Sequence, residues 1–221
     1  MKWIINNYKD NFVEESYLNK LSKKNYKNIK LILCPNDKQL SLFKTNCFIL
    51  GSQDMEYYYQ VEDLVKHGVK YTILGHSDTR KKYKETNEII HEKIKKLVKN
   101  NICPILCIGE EENNNVKEVI DKELEVLKDI KLDNIMIAYE PVWAIGTGKI
   151  PDTKKLEEIL LYIKDKVVLL SGINPILIYG GSVNENTIEK LKHINLIDGY
   201  LIGSASLNIN SLETIIEVVK W

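Results

Sequence analysis

Eight short apolar runs, separated by longer stretches of helical periodicity, constrain this 221-residue chain more than any other feature. The runs fall at residues 3–6, 31–34, 47–51, 71–75, 105–109, 135–139, 176–179 and 199–202. None alternates cleanly between polar and apolar residues, as expected of strands covered on both faces. The stretches between them read as amphipathic helices. After the sixth run, Leu156, Ile159, Leu160, Ile163 and Val167 share one stripe, while Lys154, Lys155, Glu158 and Lys164 lie off it. Asp152 and Thr153, just after Pro151, are placed to cap that helix. Ser211 offers a cap for the last helix, whose buried face is Leu212, Ile215, Ile216 and Val219. Gly68 is placed to end the helix before the fourth run in a left-handed conformation. Repeated strand–helix units in a chain of this length leave two architectures, a closed parallel barrel or a doubly wound open sheet. Periodicity does not choose between them.

Composition narrows the function. Lys plus Arg and Asp plus Glu both total 31, so the formal charge is zero, whereas a nucleic-acid footprint needs a basic excess or a basic face. The lysine pairs at 23–24, 81–82 and 95–96 read as solvated helix surface. No apolar stretch approaches the length of a membrane span. The apolar start gives way at Asn6 and Asn7, too early for a signal peptide. A cytoplasmic protein with neither nucleic acid nor membrane as partner is therefore expected. Cys34, Cys47, Cys103 and Cys107 lie in or beside apolar runs without a Cys-x-x-Cys pair or a His to complete a zinc site. They read as free thiols of a reducing compartment, with no metal implied. The length fits one core and is short for two, and no linker interrupts it, so a single domain over 1–221 is expected.

The chemistry is concentrated in the string Ala138-Tyr139-Glu140-Pro141-Val142-Trp143-Ala144-Ile145-Gly146-Thr147-Gly148-Lys149. It sets a carboxylate at the end of a buried run, then a rigid proline, then a segment punctuated by two glycines. That is one way to seat a general base beneath a movable lid, although any strand-to-helix loop can carry the same residue types. As an ordered string it resembles the catalytic loop of the triosephosphate isomerase family, and four further segments resemble that family in the same order. They are Asn6-Asn7-Tyr8-Lys9-Asp10-Asn11, Leu74-Gly75-His76-Ser77-Asp78-Thr79-Arg80, Cys107-Ile108-Gly109-Glu110, and a divided pair of loops. The pair consists of Tyr179-Gly180-Gly181-Ser182-Val183 and Gly199-Tyr200-Leu201-Ile202-Gly203-Ser204. Tyr8, Asp10, Asp78, Thr79 and Ser204 depart from the family pattern, and Asp78 is one methylene shorter than the family's Glu.

The resemblance implies an α/β fold, the (β/α)8 TIM barrel, in which the carboxyl ends of all strands converge on one mouth. It implies Glu140 as catalytic base, His76 as the acid that polarises the substrate and Lys9 as the electrophilic cation; in the family a Glu base works with a neutral His. Asn7 and Lys9 would bind substrate. Gly146, Ser182, Gly203 and Ser204 would receive its phosphate through backbone amides, with a short helix starting near Ser204 aiming its N-terminus at the anion. Ser77, Asp78, Glu110 and Cys107 take supporting roles, Glu110 beneath the lid and Cys107 packed near the base. The implied substrate is a triose phosphate, converted without a cofactor. Another phosphate-binding barrel isomerase would share the glycine loops, and a non-catalytic barrel would share the core; neither needs Lys9, His76 and Glu140 together.

Assembly is where the chain departs most from the family it resembles. Family members are usually dimers, joined partly by a protruding loop after the third strand. Here 51–56 leads directly into a helix with the apolar stripe Tyr57, Val61, Leu64 and Val65, and no such lobe is present. A monomer is expected, with a weak or atypical homodimer as the alternative. The Tyr57-Tyr58-Tyr59 run is the signal that favours that alternative.

Overall fold

A computed structural model of the chain describes residues 1–24, 26–43, 48–57 and 59–220. All eight apolar runs become strands: β1 (Lys2–Asn7), β2 (Ile29–Cys34), β3 (Ile49–Ser52), β4 (Tyr71–Leu74), β5 (Cys103–Ile108), β6 (Met136–Tyr139), β7 (Ile176–Tyr179) and β8 (Gly199–Ile202). Cys47, placed at the start of the third run by its composition, lies outside the described residues. Every pairing is parallel, and β8 pairs with β1, Leu201 opposite Ile5, so the sheet closes in the order β1 to β8. The closed barrel is the (β/α)8 alternative of the two that periodicity allowed.

The helices are α1 (Glu15–Ser22), α2 (Val61–His67), α3 (Ser77–Tyr83), α4 (Asn87–Lys99), α5 (Val116–Leu124), α6 (Thr153–Ser171), α7 (Ile188–Leu191) and α8 (Ile209–Val219). They pack outside the barrel. Among the described residues between β2 and β3 there is a 3-10 helix, Asp37–Leu42, and no α-helix. Alternation along the strands divides the core in two. Trp3, Ile5, Ile32, Ile73, Ile105, Met136, Ile178 and Leu201 fill the barrel interior. Their neighbours Ile4, Leu33, Leu74, Leu106, Ile137 and Leu177 meet the helices. Each such side chain removed from water contributes about 1.5–3 kcal/mol.

Helix ends follow local chemistry. Asp152 caps α6, its side chain accepting from the amides of Lys154 and Lys155 at 3.0 and 3.1 Å, and Gly172 ends it at φ +75°. Gly68 closes α2 at φ +78°, as expected. The cap of α8 is Asn208, which accepts from the amides of Asn210 and Ser211; Ser211 is inside the helix and bonds Glu185 instead. α2 starts at Val61, later than the apolar stripe placed it, because the Gln60 amide donates to Asp63 Oδ2 and fixes the first turn there. Tyr57 thereby leaves the helix and stacks on Tyr83, ring centroids 3.7 Å apart. Cys34 and Cys107 are buried, Cys103 is half-buried, and all three are free thiols.

Beside β3, two carboxylates share one ammonium. Lys93 of α4, only 1% exposed, reaches Asp54 Oδ1 at 2.9 Å and Glu85 Oε1 at 2.5 Å. Burial acts to lower the Lys93 pKa, but the carboxylates outweigh it and hold it above the ordinary lysine value. Burial, opposed by Lys93 and reinforced by the Glu85 charge, pushes the Asp54 carboxyl up to about 7. In the unfolded chain Asp54 titrates near its ordinary value, about 4. A folded pKa above the unfolded one means that this contribution to stability is complete below about pH 4 and lost as pH rises through about 7. Asp54→Asn removes the titration and leaves Lys93 its Glu85 partner. Its melting temperature minus that of the parent should therefore climb between about pH 4 and 7 and level off above; calorimetry across that range checks it, and a flat difference refutes it.

Candidate active site

Strand parity decides which side chains reach the mouth. Met136 and Ala138 of β6 face the barrel interior, so Glu140, one step further along the same face, points there too. By the same count Trp3 and Ile5 lead to Asn7, Ile178 leads to Gly180, and Leu201 leads to Gly203. His76 breaks the rule. Ile73 faces inward, so position 76 belongs to the outer face of β4. Gly75, at φ +67°, turns the chain and brings the imidazole back over the mouth. A side chain there would be strained by that φ and would also stand 3.1 Å from Ile90 Cδ1.

Glu140 is 3% exposed and sits in a cradle of missing side chains. A Cβ on Gly180 would lie 2.7 Å from Glu140 Cγ, and one on Gly109 would lie 2.0 Å from the Glu140 carbonyl oxygen. The Cys107 thiol lies on the inward face of β5 beside the carboxyl. Burial raises the Glu140 pKa above the ordinary range, and the His76, Cys107 and Lys9 contacts oppose it only in part. Burial, with the Glu140 charge adding to it, also pushes the Cys107 thiol well up, so it is no thiolate nucleophile.

His76 Nε2 faces Glu140 Oε1 at 3.5 Å. Its other nitrogen, Nδ1, accepts the Asp78 amide at 3.2 Å, while Asp78 Oδ2 is too distant at 3.7 Å to compete. A neutral imidazole that accepts at Nδ1 carries its proton on Nε2, so the donor points into the mouth. Lys9 completes the group from the loop after β1, with its backbone left-handed at φ +50°. Its amide donates to Asn7 Oδ1 at 3.1 Å, its Nζ to Asp78 Oδ2 at 2.7 Å, and its carbonyl accepts from Gln53 Nε2 at 2.9 Å. The shorter stem of Asp78 therefore reaches Lys9. Burial works against the Asp78 charge, but the Lys9 hydrogen bond and ammonium outweigh it and hold its pKa below the ordinary value. Both partners are partly exposed, so the pair adds little stability. Tyr8 turns away from the mouth into the outer core, where Asn6 Nδ2 donates to its hydroxyl at 3.2 Å. Ser77 opens α3, half-buried.

The segment after Glu140 is clasped at both ends. Glu110, buried at the end of β5, accepts from the Tyr139 hydroxyl at 3.0 Å and from Trp143 Nε1 at 2.9 Å, and its carbonyl accepts the Val142 amide at 2.9 Å. A 3-10 turn, Val142–Ala144, follows, then Gly146 and Gly148 at φ +71° and +75°. At the far end the Gly148 amide donates to Ser182 Oγ at 3.0 Å. The Ser182 hydroxyl thus ties the glycine-punctuated segment to the loop after β7. Lys9, His76, Glu140, Gly146, Ser182 and Gly203 line a cavity of about 220 Å³. That is below the roughly 300–1,000 Å³ of pockets for drug-sized ligands and suits a small metabolite. The expected helix at Ser204 is a single 3-10 turn, Ser204–Leu207, so what it offers an anion is a few oriented amides and not an α-helix dipole. Ser204 needs no left-handed φ, which is why a serine is tolerated there.

Two residues that brace the site were given no role of their own by the sequence, although Arg80 ends the segment around His76. Arg80 donates from Nε to the Gly75 carbonyl at 2.9 Å and pairs with Glu123 at 3.6 Å. Glu123 in turn accepts the Gly109 amide at 2.8 Å. They tie the turn that aims His76 to the backbone that underlies Glu140. Glu123 reads as an ordinary polar position of α5, and only its distant partners distinguish it.

The whole is a (β/α)8 barrel with a Glu–His pair, a lysine and a small cavity at its carboxyl mouth. The chain belongs to the triosephosphate isomerase family, whose sequence profile matches residues 2–219. Triosephosphate isomerase from Buchnera aphidicola subsp. Cinara cedri is 33% identical over 238 residues, covering 93% of this chain and 92% of that protein. The enzyme from Mycoplasma mobile is 42% identical over 165 residues, covering 72% of this chain and 65% of the relative, just under two thirds of its length. That from Mycoplasmoides gallisepticum is 39% identical over 202 residues, 80% and 77%.

The Ser182 clasp is open to a direct test. Ser182→Ala removes the acceptor of the Gly148 amide, a hydrogen bond worth about 1 kcal/mol net, so exchange of that amide should speed up about fivefold. The Val142 amide, held by Glu110, should be unaffected. NMR hydrogen exchange measures both, and an unchanged Gly148 rate would refute the clasp.

Proposed function

We propose that this chain interconverts dihydroxyacetone phosphate and D-glyceraldehyde 3-phosphate through an enediolate, as a cytoplasmic enzyme of glycolysis and gluconeogenesis working as one domain over 1–221. The observation that carries the reading is a buried carboxylate, Glu140, facing a donating imidazole nitrogen of His76 at 3.5 Å, with Lys9 beside them. Glu140 takes a proton from the hydroxymethyl carbon; the C–H electron pair forms the enediolate double bond and the carbonyl oxygen gains the charge. His76 Nε2 donates toward the two substrate oxygens, and the Lys9 ammonium stabilises the oxyanion. Glu140 then returns the proton to the neighbouring carbon, while the hydroxyl proton of the first carbon's oxygen passes by way of His76 Nε2 to the oxygen of the second, and the aldehyde carbonyl forms. Burial suits the base to this task, because a carboxylate with raised proton affinity takes a carbon-bound proton more readily. Asn7 orients the substrate. Gly146, Ser182, Gly203 and Ser204 receive the phosphate, and closure of the lid excludes water from the intermediate. Every proton moves between substrate and side chains, so the reading calls for no cofactor.

A coupled assay with either triose phosphate tests the reaction, and absence of turnover refutes it. Glu140→Asp should fold like the parent but lose roughly 10²-fold in kcat, because a base retracted by about 1 Å misses its proton. Near-parental turnover would remove Glu140 from that role.

We propose also that the chain acts as a monomer. Only residues 53–60 separate β3 from α2 in the sequence; Tyr58 lies outside the described residues, and among the described ones Gln53 and Asp54 are tied inward and Tyr57 stacks on Tyr83 of the same chain. A stable interface buries about 1,200–2,000 Å², and the usual contributor is missing. Light scattering after gel filtration at low micromolar protein should give a mass near 25.6 kDa. A sharp peak at twice that mass would establish the homodimer instead.

A further inference from the structure

We infer that Gln53 is a positioning residue for Lys9, acting on its backbone and never on the substrate. The inference rests on the role of Lys9 proposed above. A left-handed backbone is unfavourable for a residue with a Cβ and persists only where neighbours over-determine it. Lys9 is such a residue, at φ +50°, and three contacts define it. Asn7 holds its amide and Asp78 its ammonium, but the Asp78 side chain is 61% exposed and an exposed ion pair fixes geometry poorly. The third contact is Gln53 Nε2, which donates to the Lys9 carbonyl at 2.9 Å and to the Cys34 carbonyl at 3.1 Å. A glutamine amide has two hydrogens, and here each serves one carbonyl, so one side chain ties the loop after β1 to the end of β2.

Gln53 is itself braced. It follows β3 directly, and the next residue, Asp54, is pinned by buried Lys93 at 2.9 Å. Lys93 is gripped in turn by Glu85 and lies 4.1 Å from the centroid of the Tyr57 ring. The chain at 53–54 therefore cannot drift, and the glutamine presents its amide from a fixed point. Without that donor the Lys9 carbonyl is released, φ relaxes toward the ordinary region, and the Cα–Cβ bond that aims the ammonium swings away from the mouth. A glutamine at this place supplies from within the chain an ordering that this loop would otherwise lack.

A double-mutant cycle tests it. Gln53→Met keeps the side-chain length and removes both donors. In the parent it should lower kcat/KM for dihydroxyacetone phosphate about 10- to 100-fold, since a misplacement of about 1 Å costs up to roughly 10². In a Lys9→Ala background the same substitution should cost less than threefold, while the melting temperature shifts equally in both backgrounds. Gln53→Glu, assayed near pH 8 where the carboxylate is ionised and donates nothing, should repeat the pattern and serves if the Met variant does not fold. An equal loss in both backgrounds, or no loss in the parent, overturns the inference. If Lys9→Ala alone keeps parental kcat/KM, the role of Lys9 falls first and the inference falls with it, an outcome distinct from failure at Gln53.

Discussion

Closure of the sheet, β8 on β1 with Leu201 opposite Ile5, is the constraint from which the rest follows. In an open sheet, residues at strand ends on one face spread along a line. In a closed one, every second residue of every strand points at a common axis, and the four inward positions at Asn7, Glu140, Gly180 and Gly203 converge. The interior below them is filled by Trp3, Ile5, Ile105, Met136 and Ile178, so the mouth has a solid floor and no channel. Residue size at the top layer then matters. Ala138 and Cys107 are small enough to leave room beneath Glu140, and Gly180 is the only residue type that leaves room beside it. The carboxylate is seated by subtraction.

That seat has a thermodynamic consequence. A carboxyl cut off from water resists ionisation, and here burial outweighs the neighbouring His76, Cys107 and Lys9. Few donors reach Glu140, whereas Glu110 accepts from two side chains. The contrast between two buried glutamates thirty residues apart separates their duties. Glu110 is saturated and ties down the segment after Glu140; Glu140 is left short of partners and keeps its proton affinity. Strain of another kind is stored at Lys9, whose left-handed backbone survives on contacts from three different segments.

Much of this was legible in the sequence, and the boundary of legibility has a physical cause. All eight strands were readable, because residues covered on both faces must be apolar whatever their neighbours. The pattern could not choose between closed and open sheets, since a strand inside either is equally covered. The Asp152 cap and the Gly68 terminus were readable because their partners lie within a few residues. The cap of α8 was misplaced from Asn208 to Ser211 because both residue types cap well and stand three apart. The start of α2 is obscured in the sequence because Tyr57 falls on its apolar stripe; Tyr57 satisfies its surface against Tyr83 instead. Lys9, His76 and Glu140 were singled out through resemblance, and parity alone would have turned His76 away from the mouth without the Gly75 bend. The bracing roles of Glu123, Arg80 and Gln53 are not legible in the sequence for one reason. Their partners are Gly109, Gly75 and Lys9, groups with no sequence signature of being held.

The short connection after β3 joins these threads. A loop that protrudes must leave its own barrel, and then something else has to order the residues beneath it. Residues 53–57 do the opposite. Gln53 reaches back to Lys9 and Cys34, Asp54 to Lys93, and Tyr57 lies over Lys93 and against Tyr83. Each contact that orders the mouth also removes reach, so bracing and protrusion compete for the same few residues. The buried Lys93 is what lets bracing win. It draws Asp54 inward despite the cost of a second carboxylate beside Glu85, and that cost is visible in the raised proton affinity of Asp54. An uncomfortable charge cluster away from the chemistry is retained because it fixes the backbone from which the mouth is ordered.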